Sequence, residues 1–297
     1  MTPTQAKVFD RLLAVGTERP TMPADLASEL EAFLIKHTTT PLGHWTESRL
    51  WLSKSRIETA LRCEGQLVAE AANPTEQKLH APTAVGIVAH KAIQIAHTHP
   101  GHPIGEYVDS AIRASQAEDA FHMFWNDADI AVQSDLIGQM VSKTTSFLDS
   151  FPSLDPQWTP RFEESIQAKL GKLVLGARPD FMLGRPRSDL RQTMFLADMK
   201  TGALNDGHFN EAMYYALVAT LRFGVAPFRS VVYSLASGEW TEPDVTAELL
   251  WESAQRVVAA VETLTDVLTD RRPALLSADR WCMWCPAKDT CPANLAQ

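Results

Sequence analysis

From Leu173 to Lys200 the alternation of apolar and polar stretches predicts a hairpin. Two runs rich in Leu, Val, Phe and Met, LVLGARPDFMLG and TMFLADMK, flank the polar connection RPRSDLRQ. They read as antiparallel strands joined by a loop, the first ending near Asp180. In the second, Asp198 and Lys200 are two residues apart, and the period of a strand puts carboxylate and ammonium on one face. Upstream, Phe162 to Leu170 alternates so that Phe162, Glu164, Ile166 and Ala168 share a face. Glu164 then lies among apolar side chains, where a carboxylate needs a partner or a cation.

The rest of the pattern is mostly helical. Residues 1–52 read as a helical extension with an apolar stretch from Leu26 to Ile35, and residues 53–297 as the main domain. LSKSRIETALRCEGQ predicts a helix capped by Ser53 or Ser55, with Glu58 completing a capping box with Ser55 and Cys63 at its end. A helix near Thr83 to Thr98 carries Gly86 one turn before His90, where a missing side chain opens space beside the imidazole. His97, His99 and His102 show no ligand-like spacing. Helical pattern continues from Ile104 to Leu148, and PSLDPQWTP then marks a loop between a helical half and a strand half. After Lys200 a helix with the stripe Phe209, Met213, Ala216 and Thr220 leads to the strand-like RSVVYSL, which predicts a βαβ crossover. A last helix spans Thr246 to Leu268. The pattern is α/β with a mixed sheet.

Composition changes this picture little. The chain has 297 residues, 45% hydrophobic and 21% charged, enough for a sizeable core. Its start lacks a long uncharged apolar run, and no later stretch stays apolar long enough to span a bilayer, so no membrane partner and a cytoplasmic location are expected. A net charge of −9 argues against a general nucleic-acid surface. Between Lys169 and Lys200, however, Lys169, Lys172, Arg178, Arg185, Arg187, Arg191 and Lys200 outnumber Asp180, Asp189 and Asp198. A basic patch around the candidate site is expected.

The chain closes with DRWCMWCPAKDTCPANLAQ, in which Cys282, Cys285 and Cys291 are spaced C-x2-C-x5-C. In a cytosolic chain such a group reads as a metal site, and an all-Cys site must recruit Cys63. Four thiolates suit zinc or an iron-sulfur cluster.

In this order the pieces resemble the RecB-like branch of the PD-(D/E)XK nuclease superfamily, in particular its iron-sulfur members such as the AddB nuclease domain and the CRISPR-associated RecB-like exonucleases. The resemblance runs from Leu52 to Cys291. It rests on S-x-S-R with its Cys (Ser53 to Cys63), G-x-x-x-H (Gly86, His90), Glu164, G-x-x-P-D ending at Asp180, Asp198-x-Lys200-T-G and the cysteine tail. It implies a restriction-endonuclease-like core with a mixed central sheet flanked by helices. It further implies Mg²⁺ or Mn²⁺ held by His90, Asp180, Asp198 and the backbone carbonyl of Met199, with Lys200 and Glu164 assisting. Cys63, Cys282, Cys285 and Cys291 would hold a 4Fe-4S cluster. The family's Q-x-x-x-Y is matched here by Glu211 and Tyr215, with Asn210 and Tyr214 as a second register, and a carboxylate at that place repels a phosphate unless a cation pairs with it. Glu211, Tyr215 and Arg178 are the expected DNA contacts. The implied activity is a DNA exonuclease on single strands or ends. The implied partners belong to repair, recombination or CRISPR adaptation, and oligomers are open. The alternative is a nuclease-like fold that only binds nucleic acid or protein, its cysteines holding zinc.

Overall fold

The computed structural model describes residues 1–73, 79–241 and 244–295. Helix α1 (Pro3–Lys7) runs into a π turn (Val8–Leu12), and α2 (Leu26–Gly43) precedes strand β1 (Leu50–Leu52). Helices α3 (Lys54–Arg62) and α4 (Glu64–Ala72) meet at Cys63. A helical block follows, comprising α5 (Ala81–Thr98), α6 (Ile104–Ser115), α7 (Asp119–Asp127) and α8 (Ile130–Ser150). The strand half contains β2 (Arg161–Phe162), β3 (Ile166–Leu170), β4 (Leu173–Ala177), β5 (Phe181–Leu183) and β6 (Phe195–Lys200). Helix α9 (Asp206–Phe223), β7 (Arg229–Ser234), α10 (Ala247–Leu268) and the short α11 (Pro292–Leu295) complete it. Among the described residues no helix is long and apolar enough to cross a membrane.

The strands form two sheets, ordered β1-β4-β3 and β2-β5-β6-β7, each mixing parallel and antiparallel neighbours. Two expected strands are broken where the chain passes from one sheet to the other. The alternation read from Phe162 to Leu170 stops at Glu163, which has φ 51, so β2 and β3 are separate strands in different sheets. The apolar run from Leu173 likewise divides into β4 and β5, because Pro179 has no N–H to continue a ladder. Asp180 therefore sits at the start of β5, not at the end of one long strand. The two breaks lie side by side, with the Glu163 N–H donating to the Asp180 carbonyl at 3.0 Å.

The expected crossover is present: β6 and β7 pair in parallel, from Phe195 opposite Arg229 to Lys200 opposite Ser234, with α9 between them in sequence. One core joins α2, α9 and α10 to the β1-β4-β3 sheet. Tyr214 belongs to it, its hydroxyl donating to the carbonyls of Leu52 at 2.6 Å and Gly176 at 3.1 Å. Gly176 has a steric reason to lack a side chain, since a Cβ would lie 2.4 Å from the Trp51 ring. A second core sets Phe147 of α8 and Phe151 just beyond its end against Phe181 and Tyr233. A third lies within α5 to α8. Because Ala89 and Ile93 belong to the second and Val88 and Ala92 to the third, α5 is clamped between sheet and helical block, which fixes His90 between those positions.

The N-terminal residues are built into this body: α2 packs on α10, and β1 pairs with β4 up to residue 52, the expected domain boundary. Ser53, not Ser55, caps α3, its Oγ accepting from the Arg56 N–H at 3.3 Å. Glu58 pairs with Arg256 at 2.7 Å and so forms no capping box.

His97 stacks on Phe162 and meets Phe147 edge-on, and burial lowers its pKa from 6.5 to about 4. Between those values the unfolded chain binds a proton that the folded chain refuses. Stability is therefore highest above pH 6.5 and falls as the pH drops toward 4, by at most about 3 kcal/mol. His97→Leu should remove this part of the acid-induced loss. Urea unfolding at pH 7 and pH 5 measures it, and an equal pH dependence in the two proteins would contradict the assignment.

Candidate active site

The site lies where the two strand breaks face α5 and the end of β6. Asp180 is its centre. One carboxylate oxygen lies 3.1 Å from His90 Nδ1, and the other accepts the Met199 N–H. The positive φ of Glu163 turns its side chain into the same space, as held conformations of this kind often do at functional sites. Ligand atoms of His90, Glu163 and Asp180 lie within 4.8 Å of one another. Burial raises the Glu163 carboxyl above the ordinary range and the adjacent Asp180 adds to it, while Arg178, 2.8 Å away, pulls the other way. Burial opposes a charged His90, but Asp180 outweighs it and raises the imidazole pKa.

These residues fit a hard cation. Two carboxylates and an imidazole are a donor set for Mg²⁺ or Mn²⁺. His90 Nε2 is moreover buried without a hydrogen-bond partner among the described residues, a vacancy that a ligand role would fill.

Asp198 is near this group but turned to other partners. Lys54 Nζ lies 3.0 and 3.1 Å from its two oxygens, and Lys200 Nζ lies 2.7 Å from Oδ2. Burial alone would raise the Asp198 carboxyl, but the two ammonium groups outweigh it and hold it below the usual range. Both lysines also reach Glu211 Oε2, Lys200 at 2.8 Å and Lys54 at 3.2 Å, and Lys54 stands 4.9 Å from the Tyr215 ring centre. Burial works against the charge on Lys54, yet Asp198 and Glu211 hold its pKa above the ordinary lysine value. The condition set by the sequence for Glu211, a cation beside it, is met twice. Tyr214 is bonded to core carbonyls, so the register that places Tyr215 toward the site is the one adopted.

His90, Glu163, Arg178, Met199 and Lys200 line one open groove of about 810 Å³, with Lys91, Gln94 and Thr201 along it. Three expectations change. Glu164 points away and pairs with Arg161 at 3.2 Å, because the left-handed turn at Glu163 reverses the facing of the doublet. At Gly86 a Cβ would meet the Thr201 methyl at 3.6 Å, an ordinary contact, and no His90 atom lies within 4 Å of it, so the absent side chain opens no space beside the imidazole. Among its arginines and its last lysine, the basic run reaches the site only through Arg178 and Lys200. Arg185, Arg187 and Arg191 sit in the β5–β6 loop, about 17 Å from Lys200 at 3.4 Å per residue along β6. There Arg187 and Arg191 pair with Asp189.

Lys54 and Glu163 stand at the site although the sequence pattern does not single them out. Lys54 is the unspecified residue of S-x-S-R, and its partner lies 144 residues away. Strict alternation puts Glu163 on the face opposite Glu164, away from the apolar side chains.

The four cysteines converge at the other end of α3. Cys63, Cys282, Cys285 and Cys291 line a cavity of about 200 Å³ together with Leu276 and Trp281. Burial raises the Cys285 thiol, and its three cysteine neighbours add to the effect. A clasp independent of sulfur brings the segments together: Glu64 accepts from Arg272 at 2.6 and 2.7 Å and from the Leu275 N–H at 2.7 Å.

Residues 51–292 match the PD-(D/E)XK nuclease superfamily, and the chain belongs to it. Members of that superfamily are nucleases, and the mixed α/β architecture agrees with its restriction-endonuclease-like fold. No curated protein matches the chain.

Glu163→Gln should weaken Mn²⁺ binding by more than about tenfold, as losses around a metal site commonly do. Glu164→Gln should leave it unchanged. Calorimetric titration compares the two, and the reverse order would return the ligand role to Glu164.

Proposed function

We propose that the protein is a metal-dependent DNA nuclease, an exonuclease on single strands or ends, whose fold is closed by a 4Fe-4S cluster. The observation that carries this reading is the convergence of His90, Glu163 and Asp180, with His90, Glu163 and Lys200 lining one open groove. His90, Glu163 and Asp180 would hold Mg²⁺ or Mn²⁺, with Asp198 and the Met199 carbonyl as further ligands. When bound, the cation supplies Lewis-acid polarisation of the phosphate and a more acidic water. Lys200 orients the attacking water by hydrogen bonding and offsets the negative charge that develops on the phosphoryl oxygens as the new P–O bond forms and the old one breaks. Glu211 holds the Lys200 ammonium in place through the 2.8 Å contact. Arg178, Lys91 and Gln94 supply donors along the groove for the strand's backbone.

The cluster reading rests on sulfur spacing. Four thiolates around one zinc at 2.3 Å would stand about 3.8 Å apart. Among the described residues, sets of three ligand atoms within 4.8 Å comprise His90, Glu163 and Asp180 but no cysteine set. Four cysteines around one cavity, without three sulfurs packed that closely, suit a polynuclear cluster. Bound there, it would join Cys63 to the C-terminal trio.

Asp198→Ala and Lys200→Ala should each lower Mn²⁺-dependent cleavage of single-stranded DNA by at least about a hundredfold, the scale of losing one transition-state donor. Wild-type cleavage by either variant would refute the site and favour the binding-module alternative. Anaerobically purified protein should be brown, absorbing near about 400 nm. Cys63→Ala should lose both the colour and stability. Colourless protein with stoichiometric zinc would refute the cluster while leaving the nuclease site standing.

A further inference from the structure

Lys54 stands where the metal chemistry of this site would not require it. As the first residue of α3 it is fixed by the Ser53 cap, and its ammonium covers both oxygens of Asp198 while also touching Glu211. Lys54, Lys200, Asp198 and Glu211 thus form a compact group of two cations and two anions with no net charge. In this arrangement Asp198 is spent on lysines and lies outside the group of His90, Glu163 and Asp180. A divalent cation reaching for Asp198 meets an ammonium already seated there, and two cations on one carboxylate repel each other.

Resting on the nuclease reading above, we propose that Lys54 is a positioning residue that competes with the divalent cation for Asp198, and that Glu211 is the seat to which it withdraws when the cation binds. Glu211 suits that role because Lys54 already lies 3.2 Å from Oε2, so withdrawal gives up one partner while keeping the other. The Tyr215 ring under the ammonium offers a further contact that survives the move. This accounts for an acid where the superfamily resemblance leads one to expect glutamine: a neutral amide would give a displaced ammonium a weaker seat. Lys54 thereby sets the metal concentration at which Asp198 becomes a ligand.

The test is Mn²⁺ affinity by isothermal calorimetry, with circular dichroism to confirm folding. Lys54→Met should bind Mn²⁺ about tenfold more tightly than wild type, within the usual range for two coupled sites. Lys54→Arg, which keeps the charge, should stay near wild type, and damage to the fold would not tighten binding. Glu211→Gln should weaken binding in the wild-type background and weaken it less when combined with Lys54→Met. If Lys54→Met does not fold, Lys54→Gln carries the same expectation. Unchanged or weaker binding in folded Lys54→Met, or in folded Lys54→Gln where Lys54→Met does not fold, would overturn the proposal and leave the nuclease reading intact. A wild type that binds no Mn²⁺ would overturn both.

Discussion

The site depends on a backbone constraint, the hydrogen bond from the Glu163 N–H to the Asp180 carbonyl where two neighbouring strands both leave one sheet for another. A strand that continued through this point would send alternate side chains to opposite faces and spend its backbone groups on the ladder. The double break frees both segments. Glu163 takes a left-handed conformation, Pro179 withholds a donor, and the two carboxylates arrive beside His90. Much of the rest of the fold holds this junction still, with aromatic packing of Phe147, Phe151 and Phe181 beneath it and α5 clamped between two cores.

Such crowding of carboxylates in a largely buried place would be costly without compensation. On one side Lys54 and Lys200 neutralise Asp198 and Glu211. On the other, Arg178 pairs with Glu163 and His90 with Asp180, yet Glu163 and Asp180 remain close together with raised proton affinity at Glu163. The imbalance locates the place for added positive charge on the side of His90. It also reconciles an acidic chain with a phosphate substrate, since the relevant charges are a few positioned groups and not a broad basic surface.

Elements whose information is local could be read from the sequence. The face shared by Asp198 and Lys200, the crossover to β7 and the gathering of Cys282, Cys285 and Cys291 follow from short spacings, and the structure has each. Position His90 was legible as well, through its place one turn after Gly86, although Gly86 opens no space beside the imidazole. What escaped was non-local or conformational. The sign of φ at Glu163 leaves no trace in a hydrophobic pattern, so strict alternation pointed to Glu164, whereas Glu163 is the member of the pair that joins His90 and Asp180. The basic run looked close to the site in sequence, yet the length of β6 carries its arginines to the far end of the hairpin. Lys54 could not be placed because its partners, Asp198 and Glu211, are brought to it only by the packing of α3 against α9.

The central claim is that His90, Glu163 and Asp180 form a divalent-cation site beside Asp198 and Lys200. Anomalous diffraction from crystals grown with Mn²⁺ and a short single-stranded oligonucleotide tests it most directly. The account predicts a manganese peak bounded by His90, Glu163 and Asp180, with a phosphate of the strand against it on the side of Lys200. Manganese bound elsewhere, or a strand lying outside the groove with these three side chains unliganded, would contradict it.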